Sequence, residues 1–284
     1  MTTRFLGSFL TLAAVATAAT RPDMLVSSDW LAKHMNDPKV VILHVSANRT
    51  AYDAGHIPGA HFLAESDWVV TRNGIRNELP DTADLKKMLE ANGVSDNSRI
   101  VLYGDTSVLP ATRAYFTLDY LGHGDQAALL DGGLEKWRSE GHKLTTDVPA
   151  ATQGRFTPHP RPDLVVQMDE VKQMTAKPSK DVLLDVRSAA DFQGEKGSHI
   201  PGAFNLYWMD TQTSKENQSL KPSPELLRLY AAAGITPDRH VVTYCNTGMQ
   251  ATQSYFTLKY LGYDVRLYDG SMTEWKAKGE PVDK

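Results

Sequence analysis

The chain of 284 residues has a single cysteine, Cys245, so no disulfide can form within it and its stability must come from packed cores. It has no excess of either charge: 30 Lys and Arg stand against 34 Asp and Glu, a formal net charge of −4. That balance offers no broad basic surface, which argues against nucleic acid or anionic lipid as a partner. Long apolar runs are missing too. The best, Phe5 to Val15, is shorter than the roughly 20 residues a bilayer-spanning helix needs, and no other segment qualifies. Glycine and proline are unexceptional, and 41% hydrophobic with 23% charged residues describes a soluble globular chain, not a fibrous or disordered one. The length exceeds one ordinary core, so two domains are the default expectation.

What is present begins with a distinctive N-terminus. Arg4 precedes the apolar stretch, and Ala16-Thr17-Ala18-Ala19 follows it: a positive end, a short hydrophobic region and a small-residue cleavage signal. Residues 1–19 therefore read as a signal peptide, with export to a periplasm or the outside and a mature chain starting near Ala19 or Thr20. The plainer alternatives are a buried first helix or a membrane anchor. No cysteine follows the small residues, which excludes lipid attachment there, and no membrane association is expected after cleavage. In an oxidising compartment a lone thiol is a liability unless buried or used.

Self-similarity organises the rest. His56-Ile57-Pro58-Gly59-Ala60 recurs as His199-Ile200-Pro201-Gly202-Ala203. Tyr115-Phe116-Thr117-Leu118 through Gly122 recurs as Tyr255-Phe256-Thr257-Leu258 through Gly262. Asp131-Gly132-Gly133 through Trp137 recurs as Asp269-Gly270-Ser271 through Trp275. The spacings are 143, 140 and 138 residues, so two copies of one domain differ by small loop insertions. Between them, 143–162 contains Pro149, Pro158, Pro160 and Pro162 and reads as an extended linker, giving domains at 22–142 and 163–284.

Within each copy, apolar runs read as buried strands: Val40–Leu43, Ile100–Tyr103, Val182–Leu184 and Val241–Tyr244. The amphipathic segments between them read as helices; one spans Pro224–Ala233, with Ser223 as N-cap and Gly234 ending it. The alternation predicts an α/β fold in each domain, a parallel sheet with helices on both faces. Ligands in such sheets sit beyond the carboxyl ends of the strands.

Cys245 follows the strand ending at Tyr244, and a helical pattern resumes at Ala251. The thiol thus lies in a strand-to-helix loop, where free amides and the helix dipole favour a thiolate and lower its pKa, making it a nucleophile. Gly248 would let Asn246, Thr247, Gly248, Met249 and Gln250 curl into an anion nest. A lone cysteine is ordinarily just a small buried hydrophobe. The first copy argues otherwise: its equivalent turn, Tyr103-Gly104-Asp105-Thr106-Ser107-Val108-Leu109-Pro110, has no cysteine, so the fold does not demand a thiol there.

The paired His-Ile-Pro-Gly-Ala segments, Leu184-Asp185-Val186-Arg187, Cys245-x-x-Gly248 and the Asp-Gly…Trp segments together resemble the tandem-domain rhodaneses, the thiosulfate and 3-mercaptopyruvate sulfurtransferases. The resemblance covers nearly the whole chain after the signal segment. It implies two tandem rhodanese-like domains, the first inactive, and a cleft between them. Cys245 would take a sulfane sulfur from a small anionic donor such as thiosulfate, become a persulfide, and pass the sulfur to cyanide or a thiol, a protein thiol included. No metal and no organic cofactor is implied.

A dianionic donor needs a field to hold it. The loop amides would supply part, and Arg187, placed as the family's substrate-binding arginine, would supply the rest through paired hydrogen bonds. The competing role for Arg187 is a salt bridge to Asp185 or Asp191, and both roles can hold together. The Thr247 hydroxyl could hydrogen-bond the sulfur or simply stabilise the loop. His56 and His199 occur in both copies, one of which lacks the cysteine, so they are assigned to the turn and not to catalysis; Trp137 and Trp275 are assigned to the cores.

The pattern departs from the family in places. Mercaptopyruvate enzymes usually have a second arginine four residues after the first, where this chain has Asp191, and often a histidine before the Leu-Pro of the first domain, where it has Asn77-Glu78-Leu79-Pro80. Thiosulfate enzymes carry basic residues just after the cysteine, where Asn246 and Thr247 stand. Thiosulfate is preferred by elimination. A cysteine phosphatase or arsenate reductase would want arginine at position 251, which is Ala251. A persulfide carrier or protein-binding module, without efficient turnover, stays open beside the enzyme.

Overall fold

A computed structural model describes residues 20–150, 152–177, 180–216 and 218–284; the signal segment lies outside the described residues. The first half contains β1 (Leu25–Val26), α1 (Ser28–His34), β2 (Val40–Ser46), α2 (Thr50–Ala54), β3 (Ala60–Ala64), β4 (Val70–Arg72), β5 (Ile75–Glu78), α3 (Thr82–Ala91), β6 (Arg99–Tyr103), α4 (Leu109–Tyr120), β7 (Ala127–Leu130) and α5 (Gly133–Ser139). The second contains α6 (Met168–Ala176), β8 (Asp181–Asp185), α7 (Ala189–Gln193), β9 (Phe204–Asn205), α8 (Ser223–Ala232), β10 (His240–Tyr244), α9 (Met249–Tyr260), β11 (Asp264–Leu267) and α10 (Ser271–Ala277).

Each of the four runs read as strands is one, and each lies in a parallel sheet. The first sheet runs β1-β7-β6-β2-β3 and the second β11-β10-β8-β9, every pairing parallel. The near-continuous burial of these strands is what a sheet covered by helices on both faces requires. An outer strand like β1 is reduced in the second half to one parallel bridge, Val165 with Leu267. Two details differ from the sequence reading. Helix α8 begins one residue early, with Pro222 at the N-cap and Ser223 inside the first turn. Helix α9 begins at Met249, because Gly248 takes the left-handed N-cap conformation, φ 85°, and turns the chain into the helix two residues sooner than the apolar pattern shows.

The duplicated residues repeat their contacts. Ile57 and Ile200 donate their amides to the hydroxyls of Tyr103 and Tyr244. Trp137 and Trp275 are buried, each donating its indole N–H to a carbonyl just past its own helix, that of Lys143 or Pro281. His56 and His199 stack on Tyr52 and Phe192 and bond nearby carbonyl oxygens, which confirms them as turn residues.

The halves meet along α4 and α9, and here too equivalent residues pair. Thr112 faces Thr252 at 3.0 Å, Tyr115 meets Phe256 edge-on, Phe116 meets Tyr255 edge-on, and Asp119 pairs with Lys259. Since partners keep step along the whole length, the two helices lie side by side with the same polarity. Both strand-to-helix loops, 104–108 and 245–248, therefore emerge at the same end of the molecule. The leading segments cross over: Arg21 donates its amide to the carbonyl of Tyr260, and Arg161 to that of Tyr120. Arg113 of α4 reaches the second half to grip the Asp269 carboxylate with both terminal nitrogens, at 2.6 and 2.9 Å.

Candidate active site

Cys245 sits at the carboxyl end of β10, the central strand of the second sheet, and is 1% exposed. The turn between β11 and α10 holds it from behind. Ser271, itself in a left-handed conformation, accepts the Cys245 amide; the Met272 amide donates to the Cys245 carbonyl, and the Thr273 amide and hydroxyl donate to that of Asn246. Gly248 is the hinge of the loop. A Cβ there would run into the Asp269 carboxylate, and its φ of 85° is one that other residues rarely adopt.

The backbone amides of Thr247, Ala251, Gln250 and Gly248 lie on the side of the sulfur and favour its anion. The expected lowering of the thiol pKa is not found. Burial pushes the Cys245 thiol above its ordinary value, and the four amides pull it back without overcoming the loss of hydration. The sign of the consequence follows: the folded state holds this proton more tightly than the unfolded chain, so the contribution is intact below the unfolded thiol pKa and lost as pH rises through the folded value. A titration of thiolate absorbance near 240 nm is expected to find the free protein's thiol still protonated at the pH where a free cysteine is half ionised, ~8.5. A midpoint below that value would show the amides prevailing.

Arg187 follows β8 and is 3% exposed. Its Nε donates to both carboxylate oxygens of Asp185, at 2.9 and 3.1 Å, and Nη2 donates to Asp185 at 2.5 Å and to the Ser198 carbonyl at 2.7 Å. Nη1 donates to Asn246 Oδ1 at 3.2 Å. Burial opposes the guanidinium charge, yet Asp185 more than offsets it and the pKa lies above the ordinary arginine value. Of the two carboxylates the sequence offered, Asp185 takes the salt bridge; Asp191 instead accepts from Ser188 at the start of α7. Of the five guanidinium N–H groups, one on Nη1 is left to a ligand.

Thr247 accepts a 2.9 Å hydrogen bond from the side-chain amide of Asn77, a residue of the first half. Its oxygen is thereby held by a donor, and its own proton is free to turn toward the sulfur. The sequence marks Asn77-Glu78-Leu79-Pro80 only as a departure from relatives, and no local pattern signals this contact. Met249 and Gln250 are the first residues of α9: Met249 is 9% exposed, and Gln250 has a buried side-chain oxygen without a hydrogen-bond partner.

In the first half the same architecture holds different chemistry. Gly104 occupies the cysteine's place, and a Cβ there would run into the Ser107 carbonyl, so the loop has collapsed into the space a side chain would need. Asp105 accepts from Ser46 and from Thr106, beside the buried His44.

Comparison with known proteins supplies the family. The family model for the rhodanese-like domain matches twice, over residues 27–140 and 167–278. The chain belongs to the rhodanese family. The sulfur carrier protein TtuD of Thermus thermophilus is 37% identical over 288 residues, covering 93% of this chain and 97% of its own length. A protein of Saccharopolyspora erythraea, provisionally named a thiosulfate sulfurtransferase, is 32% identical over 281 residues, covering 93% and 97%. Among solved structures, a complex of EanB with hercynine superposes with a TM-score of 0.82 at 25% identity, covering 92% of this rhodanese and 69% of the other chain. A further EanB structure, carrying a cysteine persulfide with ergothioneine, gives a TM-score of 0.81 at 25% identity, covering 92% and 70%.

Proposed function

We propose that this rhodanese moves a sulfane sulfur from a small anionic donor, thiosulfate foremost, through a persulfide on Cys245 to cyanide or a thiol acceptor. The observation that carries the reading is the placement of the buried Cys245 thiol in the strand-to-helix loop at the N-terminus of α9, where the loop amides favour its anion. In the first step the Cys245 thiolate attacks the outer sulfur of thiosulfate. A new S–S bond forms, the donor's S–S bond breaks, and sulfite leaves with the electron pair. In the second, cyanide attacks the outer sulfur of the persulfide, thiocyanate departs, and the thiolate returns. The amides offset the negative charge on sulfur in both steps, and the free N–H of Arg187 faces the donor's oxygens. The thiol gives its proton to solvent before the attack, since a bound dianion would hold that proton more tightly. Export rests on the N-terminal pattern alone and is part of the same proposal.

A persulfide carrier that hands sulfur to a dedicated protein thiol is the second reading, favoured by the burial of Cys245 and by the likeness to TtuD. Intact-mass spectra before and after thiosulfate, then after cyanide, separate the two. A gain of one sulfur mass that cyanide removes rapidly is the expected result; a stable gain that only a protein thiol discharges selects the carrier; no gain with any sulfane donor overturns both.

A further inference from the structure

Each half sends an antiparallel excursion onto the other half's strand-to-helix loop. In the first it is the β4–β5 hairpin, whose Asn77 bonds Thr247 of the cysteine loop. In the second it is the stretch closed by the antiparallel bridge of Gln212 with Leu220, whose Gln218 lies 141 positions after Asn77, within the spacing of the repeat. Gln218 accepts from the Val108 amide at 2.6 Å and donates to the Thr106 carbonyl at 2.9 Å, while the Leu220 amide donates to Asp131 at 3.1 Å.

The two are fastened unequally. Three hydrogen bonds tie the second excursion to the first half, two of them to the cysteine-less loop. Among the described residues, the β4–β5 hairpin makes one hydrogen bond to the second half, that of Asn77. The hairpin also stands outside the main sheet, as a two-stranded ribbon of three and four residues, a length marginal by itself. Its tip, Asn73-Gly74, and Asn77 itself are left-handed, and the register shifts between the strands, a bulge of the kind that re-aims a side chain. Beneath it lies an open pocket of about 270 Å³ between the halves, lined among others by Arg72, Glu78, Asp269 and Glu274. Glu78 there faces two like charges. Burial first, and those two carboxylates after it, raise its pKa while Arg72 and Arg113 oppose the rise, so charges of both signs line the pocket under the hairpin.

We propose that the β4–β5 hairpin is a lid over Cys245, latched by the Asn77–Thr247 hydrogen bond, and that its counterpart on the first half is a fixed strut. The lid gives the 1% exposed thiol its route to solvent and to the donor or acceptor; in this sense the proposal deepens the sulfur-transfer reading and rests on it. Its chemistry is a population shift: breaking one side-chain hydrogen bond, worth about 1 kcal/mol net, opens a site that three bonds would keep shut.

The test uses the full-length, persulfide-free protein and two thiol reagents, iodoacetamide and a biotinylated maleimide. Asn77→Ala is expected to raise the labelling rate about 5-fold for the small reagent and more for the bulky one, from the same ~1 kcal/mol. Gln218→Ala is expected to leave both rates within a factor of two. A change in thiol ionisation alone would scale both reagents equally, and that outcome overturns the lid, as does an equal effect of Gln218→Ala. Hydrogen exchange of the unaltered protein is the second measurement. Amides of Ile75–Glu78 should exchange far faster than those of Val40–Ser46, and equal protection overturns the proposal without any variant. Neither measurement uses a sulfur donor, so a working lid on a protein that takes up no sulfur would retire the function and keep the lid.

Discussion

Cys245→Ala is expected to abolish sulfur transfer altogether, down to the uncatalysed background, while leaving a folded protein. The thiolate is the only nucleophile placed among the loop amides, and the chain contains no second cysteine to replace it. The cost to the fold is small. The sulfur is one buried atom in the main core cluster, and its removal costs about 1 kcal/mol by the transfer scale with a residual cavity. Tolerance of alanine does not follow from Gly104, because that loop has closed over its glycine and has no room for a side chain. It follows from position 245 itself, where a Cβ is already housed. Intact mass and a thermal melt decide the matter together: a variant that still gains sulfur would sink the assignment of the nucleophile.

Arg187→Ala is expected to destabilise the protein by roughly 3–5 kcal/mol, the scale for removing one partner of a buried ion pair. Asp185 is fully buried and would lose its charge partner while keeping the bond from the backbone amide of residue 187, and the Ser198 carbonyl would lose its donor. A role for Arg187 in holding the donor alone would mainly raise KM for an anionic donor. The structure makes that effect secondary, since four of the guanidinium's contacts are to the protein's own carboxylate and carbonyl. Arg187→Lys keeps a charge without the planar fork and should recover part of the stability. Urea unfolding of both variants, alongside KM for thiosulfate, gives the answer: stability unchanged with a higher KM would make Arg187 a substrate ligand and nothing more.

Much of this was legible in the sequence because duplication writes the fold twice. Val40–Leu43 and Val182–Leu184 declare the same buried strand, and Gly104 against Cys245 separates chemistry from architecture. Less legible was whatever depends on two remote segments meeting. The Asn77–Thr247 bond joins residues 170 positions apart, and no local pattern announces a bulged hairpin lying on another domain's loop. The balance at the thiol was illegible for a different reason. Helix dipole and amides are visible in a loop motif, but the burial that outweighs them comes from neighbours on every side.

The seam between α4 and α9 has one more consequence. In an assembly of two identical chains about a two-fold axis, a residue on the axis confronts its own copy, so an acid there must face an acid and a base must face a base. Asp119 and Lys259 are repeat equivalents 140 positions apart, and they form an ion pair. Fusion of the halves into one polypeptide freed the two sides to diverge, and charge complementarity, forbidden to a homodimer at that position, became available. The same freedom let one loop keep its thiol while the other gave it up.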